Sequence, residues 1–157
     1  MGGQPARRTP SGRTLRLVTN DQVPGAQLDA EESAISLPGQ RRSVAAGRHW
    51  VVREAAELGV TGMANQIVEL LTSELLANAV LHGPPDGTVG LRLLATETVL
   101  RVTVTDHELA TPVVLHPEPI EPSGRGMAIV EAMSNRWGVD VGSGGKAVWF
   151  ELDLDDY

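Results

Sequence analysis

The arrangement of apolar and polar residues divides the chain into helical and extended segments. Over residues 43–58 and 63–81, apolar residues recur every three or four positions, which is typical of amphipathic helices. A glycine-containing break at 59–62 separates the two helices, and a glycine followed by two prolines ends the second at 83–85. Ser43 stands at the start of the first helix, so we expect its side chain to cap that helix.

Elsewhere the apolar period is two, which is typical of strands. The expected strands lie at 34–38, 89–93, 100–104, 137–141 and 148–154. A turn at 96–97 and a glycine-rich turn at 142–145 join neighbouring strands, and a third helix is expected over 124–133. This order of elements predicts an α/β two-layer domain, in which a mixed, mostly antiparallel sheet of four to five strands carries its helices on one face.

Residues 1–34 differ from the rest of the chain in composition. They are rich in glycine and proline, have little apolar periodicity, and balance arginines against acidic residues. We interpret them as a flexible N-terminal tail, followed by a domain over residues 35–157. The alternative is a segment that becomes ordered when it binds a partner.

Composition narrows the classes of function. Hydrophobic residues make up 41% of the chain and aromatic residues 3%, so the core must consist mainly of Val, Leu, Ile and Ala. The absence of cysteine excludes disulfides and thiolate metal sites. The net charge of −7 disfavours direct nucleic-acid binding and suits protein partners. We expect a cytoplasmic protein, because no apolar run is long enough for a membrane span or a secretory signal.

The second helix carries polar residues within its apolar stripe. A spacing of four places Glu74, Asn78 and His82 on one side of the helix. The apolar residues of that side are Ile67, Leu71 and Leu75. Such polar residues commonly form an exposed edge of a helix. A carboxylate buried among apolar residues is energetically costly unless it has a partner, so its presence there suggests a function. An Asn oxygen can ligate Mg²⁺, and a Glu can serve as a general base.

Two further positions could bind a nucleotide. Asp106 is in phase with the apolar residues of its strand, so it should point to the core side, where it could accept a hydrogen bond from an exocyclic amine such as that of adenine. Alternatively, it turns outward and caps a loop. Gly124, Arg125 and Gly126 open the third helix, and exposed backbone N–H groups at a helix start suit phosphate, although glycines are common there. Lys146, taken alone, belongs to a hairpin turn.

The order of these segments resembles that of the anti-sigma-factor serine kinases. This family belongs to the ATPase superfamily that also includes sensor histidine kinases, gyrase and the MutL repair protein. The resemblance covers about residues 35–154. The segments that carry it are ELLANAVLHG at 74–83, Asp106, GRGMAIV at 124–130 and GKAVWFE at 145–151.

The resemblance implies a Bergerat-type ATP-binding fold and a role for each motif residue. It implies Glu74 as the catalytic base, Asn78 as the Mg²⁺ ligand, Asp106 as the adenine contact, and further nucleotide contacts at His82, Gly124, Arg125, Gly126 and Lys146. ATP and Mg²⁺ would be the cofactors. The implied function is phosphorylation of a serine on an antagonist protein and sequestration of a sigma factor, with a homodimer expected.

Two departures from the family pattern favour a second interpretation. Residues 107–110 lack the glycines that many members carry there, and Ala147 stands where a hydroxyl residue often supports the adenine contact. The alternative is therefore a non-catalytic partner-binding module with weak or no ATP turnover, whereas the presence of Glu74 favours the kinase. A small-molecule hydrolase is a third option, but the sequence offers no Ser-His-Asp or metal-ligand constellation for it.

Overall fold

The computed structural model describes residues 7–8, 14–19, 27–84, 86–107, 125–142 and 145–157. These residues form a sheet with helices packed on one face, as the sequence predicts. The helices are α1 (Arg42–Glu57), α2 (Gly62–His82) and α3 (Arg125–Met133), and a short 3₁₀ helix covers Leu154–Asp156. The strands are β1 (Arg7–Arg8), β2 (Thr14–Thr19), β3 (Gln27–Pro38), β4 (Thr88–Ala95), β5 (Val99–His107), β6 (Arg136–Gly142) and β7 (Gly145–Asp153).

The strands are arranged in the order β1-β2-β3-β4-β5-β7-β6, and neighbouring strands run antiparallel. The predicted hairpins β4–β5 and β6–β7 are both present. Strand β7 passes between β5 and β6, so the last strand of the chain pairs with both. The predicted two-layer, mostly antiparallel fold is therefore confirmed, and β7 is held on two sides at its position beside β5.

Helix α2 is the centre of the helical layer. It contacts α1 on one side and α3 on the other, and it packs on β4, β5 and β7. Its buried apolar residues are branched or small, and so are most of those of the strands beneath, which fits the low aromatic content of the chain. The largest fully buried side chains are Phe150, Leu71, Leu75, Leu76, Leu91, Leu93, Leu100 and Leu152. None of the helices in the described ranges is long and apolar enough to span a membrane.

Two serines attach α1 to β3. Ser43 lies inside α1, where its hydroxyl donates to the carbonyl oxygen of Pro38 at 2.5 Å. The prediction that Ser43 caps the helix is therefore wrong, because α1 begins earlier and its N-cap, Arg41, makes no side-chain capping bond. Deeper in the interface, the hydroxyl of Ser33 donates to the buried carboxylate of Glu54 at 3.0 Å. No sequence pattern points to this hydrogen bond, which links α1 to β3.

The N-terminal boundary differs from the predicted one. Strand β3 begins at Gln27 rather than near residue 34, and its residues 31–38 pair with β4 in continuous antiparallel register. Its early part alternates apolar residues only at Leu28 and Ala30, before Glu31 and Glu32, which is too short a pattern to predict a strand. Residues 27–34 are therefore part of the sheet instead of a flexible tail. The remainder of the predicted tail, apart from β1 and β2, lies outside the described residues.

Arginine pairs join β5, β7 and β6 on the sheet face opposite the helices. Arg101 on β5 and Arg136 on β6 both donate to the carboxylate of Glu151 on β7, at 2.8 Å and 2.6 Å. The guanidinium of Arg101 also lies 4.0 Å from the ring centre of Trp149, a distance suited to a cation–π contact. Trp149 in turn lies against Gly138 of β6, where the absence of a side chain makes room for the indole.

We predict that Gly138→Ala lowers the thermal midpoint of unfolding. A Cβ at this position would stand 2.6 Å from Cζ2 of the Trp149 indole, a rigid ring that would have to leave its contact with Arg101. Overpacking of this kind costs about 1–3 kcal/mol. Circular dichroism melting measures the effect. Gly142→Ala, in the same strand, is the matched control, since no atom of the described residues stands within 4 Å of a Cβ there. Equal midpoints for both variants would contradict the prediction.

Candidate functional site

A narrow cavity lies between α2 and the neighbouring strands β5 and β7. Its lining residues are Leu75, Asn78, Ala79, Val104, Asp106, Lys146 and Val148. The walls are aliphatic, and the three polar members are residues that the sequence analysis selected as candidates. The enclosed volume is about 10 Å³, which is room for about one water molecule.

Asp106 lines the cavity near the carboxyl end of β5. Only 5% of its surface is exposed, and it lies opposite Val89 of β4 on one side and Lys146 of β7 on the other. It therefore points to the covered face, as its phase predicts. The end of α2 comes close to this carboxylate: a Cβ at Gly83 would stand 3.1 Å from Oδ1 of Asp106. A glycine at the helix end allows this approach.

Glu74 and Asn78 follow one another by one turn of α2, and both are half-buried. Asn78 lines the cavity, whereas Glu74 lies beside the start of α3. A Cβ at Gly126 would stand 2.8 Å from Oε2 of Glu74 and 3.7 Å from Nδ2 of Asn78. The structure therefore brings the predicted helix residues and the predicted glycine of α3 together at one place, next to the cavity that contains Asp106.

Strand β7 presents Lys146, and not Ala147, to the cavity. Ala147 pairs with Thr105 and Lys146 pairs with Asp106, and adjacent side chains of a strand point to opposite faces. The expectation that Ala147 stands at the adenine-supporting position is therefore wrong, because that side chain belongs to the face opposite the helices. The sequence contained the signal for the correct assignment: Lys146 is in phase with the buried residues Val148, Phe150 and Leu152.

The other predicted nucleotide residues are placed differently. His82 is exposed at the end of α2 and is not among the residues that line the cavity. Gly124 lies outside the described residues, and of Arg125 the structure describes the backbone position at the start of α3. In the described part of the chain, no three His, Asp or Glu side chains stand together in a way that could hold a metal ion. A metal bound through Asn78 would thus depend on oxygen atoms of another molecule, as Mg²⁺ commonly does with phosphates.

The chemistry of these residues suits a purine nucleotide. Aliphatic side chains from both layers can enclose a flat ring, and a carboxylate that lines the cavity can accept a hydrogen bond from an amine. Asn78 lines the cavity as well and stands near Gly126 at the start of α3, where a metal–phosphate group could be held. The cavity must widen to admit a base, since ligand pockets have volumes of about 300–1,000 Å³.

Comparison with known proteins agrees with this fold. The family model described as "Histidine kinase-like ATPase domain" matches residues 37–152. The sensor histidine kinase Hik2 of Thermosynechococcus vestitus is 27% identical over 132 residues, which cover 74% of this chain and 34% of that protein. The chain thus spans about a third of the length of this relative. The match extends from β3 to β7 and includes Glu74, Asn78, Asp106 and Lys146, so the chain belongs to the histidine kinase-like ATPase domain family.

Proposed function

We propose that this domain binds ATP with Mg²⁺ and transfers the γ-phosphoryl group to a serine of a regulatory protein. The observation that carries the proposal is the cavity between α2, β5 and β7, where Asn78, Asp106 and Lys146 meet within aliphatic walls. Asp106 would accept from the adenine amine, and Asn78 would hold Mg²⁺ together with phosphate oxygens. Bound Mg²⁺ would neutralise charge that develops on the phosphates.

Glu74 is the candidate for the general base. Its carboxylate is half-buried, one helical turn from Asn78, and it lies against the first turn of α3, where backbone N–H groups are free of intrahelical partners. In the proposed step, the serine oxygen forms a bond to the γ-phosphorus while the bond from that phosphorus to the bridging oxygen breaks and ADP leaves. The hydroxyl proton moves to the carboxylate of Glu74.

The proposed partners are a sigma factor and an antagonist protein that carries the target serine. This part of the proposal rests on the order of motifs over residues 74–151 and on a net charge of −7, which suits protein partners better than nucleic acid. A cytoplasmic location and a homodimer complete the proposal. The similarity to a protein named as a sensor histidine kinase leaves histidine as the competing phosphoacceptor, and the acid stability of the product distinguishes the two.

A second candidate function is favoured by the size of the cavity. At about 10 Å³ it is much smaller than a base-binding pocket, which would suit a partner-binding module with weak or no ATP turnover. The two proposals differ in the role of Glu74. A kinase needs the Glu74 carboxylate as a base. In a binding module this side chain would serve only in the packing of α2 against α3.

We predict that Glu74→Gln leaves ATP affinity within about threefold but slows phosphoryl transfer by about 10²–10⁴-fold, the contribution of a general base. Glutamine keeps the size of the side chain and removes the proton acceptor. Transfer of labelled γ-phosphate to a serine-containing peptide library, together with ADP release, measures the rate.

The chemical stability of the labelled product provides the matching control. Phosphoserine survives acid treatment, whereas phosphohistidine does not. Acid-stable label that depends on Glu74 supports the serine kinase, and acid-labile label would redirect the proposal to a histidine acceptor. Equal transfer by the wild-type protein and the Gln variant would refute Glu74 as the base.

We further predict that Gly126→Ala impairs transfer through Glu74. The added Cβ would stand 2.8 Å from Oε2 of Glu74, so either the carboxylate or the start of α3 must shift. The transfer rate should fall by about tenfold or more, because a displaced base no longer reaches its proton. A double-mutant cycle checks the cause. Adding Gly126→Ala to Glu74→Gln should produce little further loss, and full additivity of the two effects would show that Gly126 acts independently of Glu74.

A further inference from the structure

We infer that Lys146 contributes to selection of the base by donating a hydrogen bond to ring nitrogen N1 of adenine. This nitrogen lies next to the N6 amine, from which Asp106 would accept a hydrogen bond. The inference rests on the proposed nucleotide site and assigns to Lys146 a part in base selection. Lys146 is the single lysine of the chain, and its side chain lines the same cavity as Asp106.

The sheet register places these two side chains side by side. Asp106 and Lys146 are direct partners across the antiparallel β5–β7 pair, and both lie on the face that the helices cover. Directly opposite residues of such a pair have Cβ atoms about 4.5–5.5 Å apart. The two side chains therefore start from adjacent positions on one face and line the same cavity, together with the aliphatic residues Val104 and Val148.

This pair of groups complements the hydrogen-bonding edge of adenine. The edge presents the N6 amine, which donates, next to N1, which accepts. A carboxylate accepts only and an ammonium group donates only, so Asp106 matches the amine and Lys146 matches N1. A carboxylate has two oxygens with room for several donors, so Asp106 can retain its other interactions while it accepts from the base.

The flexibility of the lysine side chain also explains how so small a cavity could admit a base. Lys146 is half-buried, and its long stem has several rotatable bonds, so the ammonium group can move while the strand stays in place. The remaining walls come from packed helix and strand residues, which move less readily. A rotation of the Lys146 side chain could therefore enlarge the cavity while the packed aliphatic walls stay in place.

The inference is tested by comparing ATP with 1-deaza-ATP, in which a C–H group replaces N1. Calorimetry should show that the wild-type protein binds 1-deaza-ATP about tenfold or more weakly than ATP, as expected for a lost hydrogen bond from a charged donor. Lys146→Met keeps most of the stem and removes the ammonium group, so it should bind the two nucleotides equally. Arg92→Met is the control: it removes one positive charge from an exposed position paired with Glu32, and it should keep the preference for ATP.

Amine labelling gives an independent readout on the unmodified protein. Because Lys146 is the single lysine, it is the one side-chain amine that an acetylating reagent can modify, and mass spectrometry separates its product from that of the N-terminal amine. ATP should slow acetylation of Lys146 and leave that of the N-terminal amine unchanged.

Three outcomes would overturn the inference, and they differ in what else they reject. Equal binding of ATP and 1-deaza-ATP by the wild-type protein would reject the role of Lys146 and leave the nucleotide site intact. Tighter ATP binding by Lys146→Met would show that the lysine obstructs the cavity instead of reading the base. Failure of either nucleotide to bind would end both this inference and the proposed function.

Discussion

The antiparallel register between β5 and β7 is the constraint on which the candidate site depends. It pairs Asp106 with Lys146 and directs both toward the helical layer, while Ala147 points to the opposite face. A slip of one residue would exchange the two faces and place Ala147 opposite Asp106. Two features hold the register: β7 is paired on both of its edges, and the arginines of β5 and β6 both bind Glu151 of β7.

Helix α2 provides both the core and the polar part of the site. One side of it buries leucines against the sheet, and Asn78 and Glu74 stand at the border of that side, where α3 begins. Polar groups in such a position need partners, and close packing leaves little space for them. Glycines resolve the conflict: Gly83 lets the helix end approach Asp106, and Gly126 lets α3 approach Glu74. These two glycines therefore help to position the carboxylates of the candidate site.

The sequence predicts the elements better than it predicts their neighbours in space. Apolar periods of about four and two located α1, α2 and the paired strands to within a few residues, because each period reflects one covered face. The early part of β3 shows such a period only at Leu28 and Ala30, so its place in the sheet was missed. The spacing of Glu74 and Asn78 could be read from α2 alone. The contact between Glu74 and Gly126 could not, because it depends on how α3 packs against α2. A sequence motif predicted that Lys146 contacts the nucleotide, but its position opposite Asp106 is known only from the pairing of β5 with β7.

The most direct test of the nucleotide site is calorimetric titration of the full chain with ATP and Mg²⁺, for the wild-type protein and for Asp106→Asn. An amide in place of the buried carboxylate keeps one acceptor oxygen, replaces the other by an NH₂ group and carries no charge, so the hydrogen bond from the adenine amine loses its charged acceptor. The account predicts micromolar binding by the wild-type protein and a loss of about tenfold or more in the variant. Equal binding by the two proteins, or no binding at millimolar ATP, would contradict it.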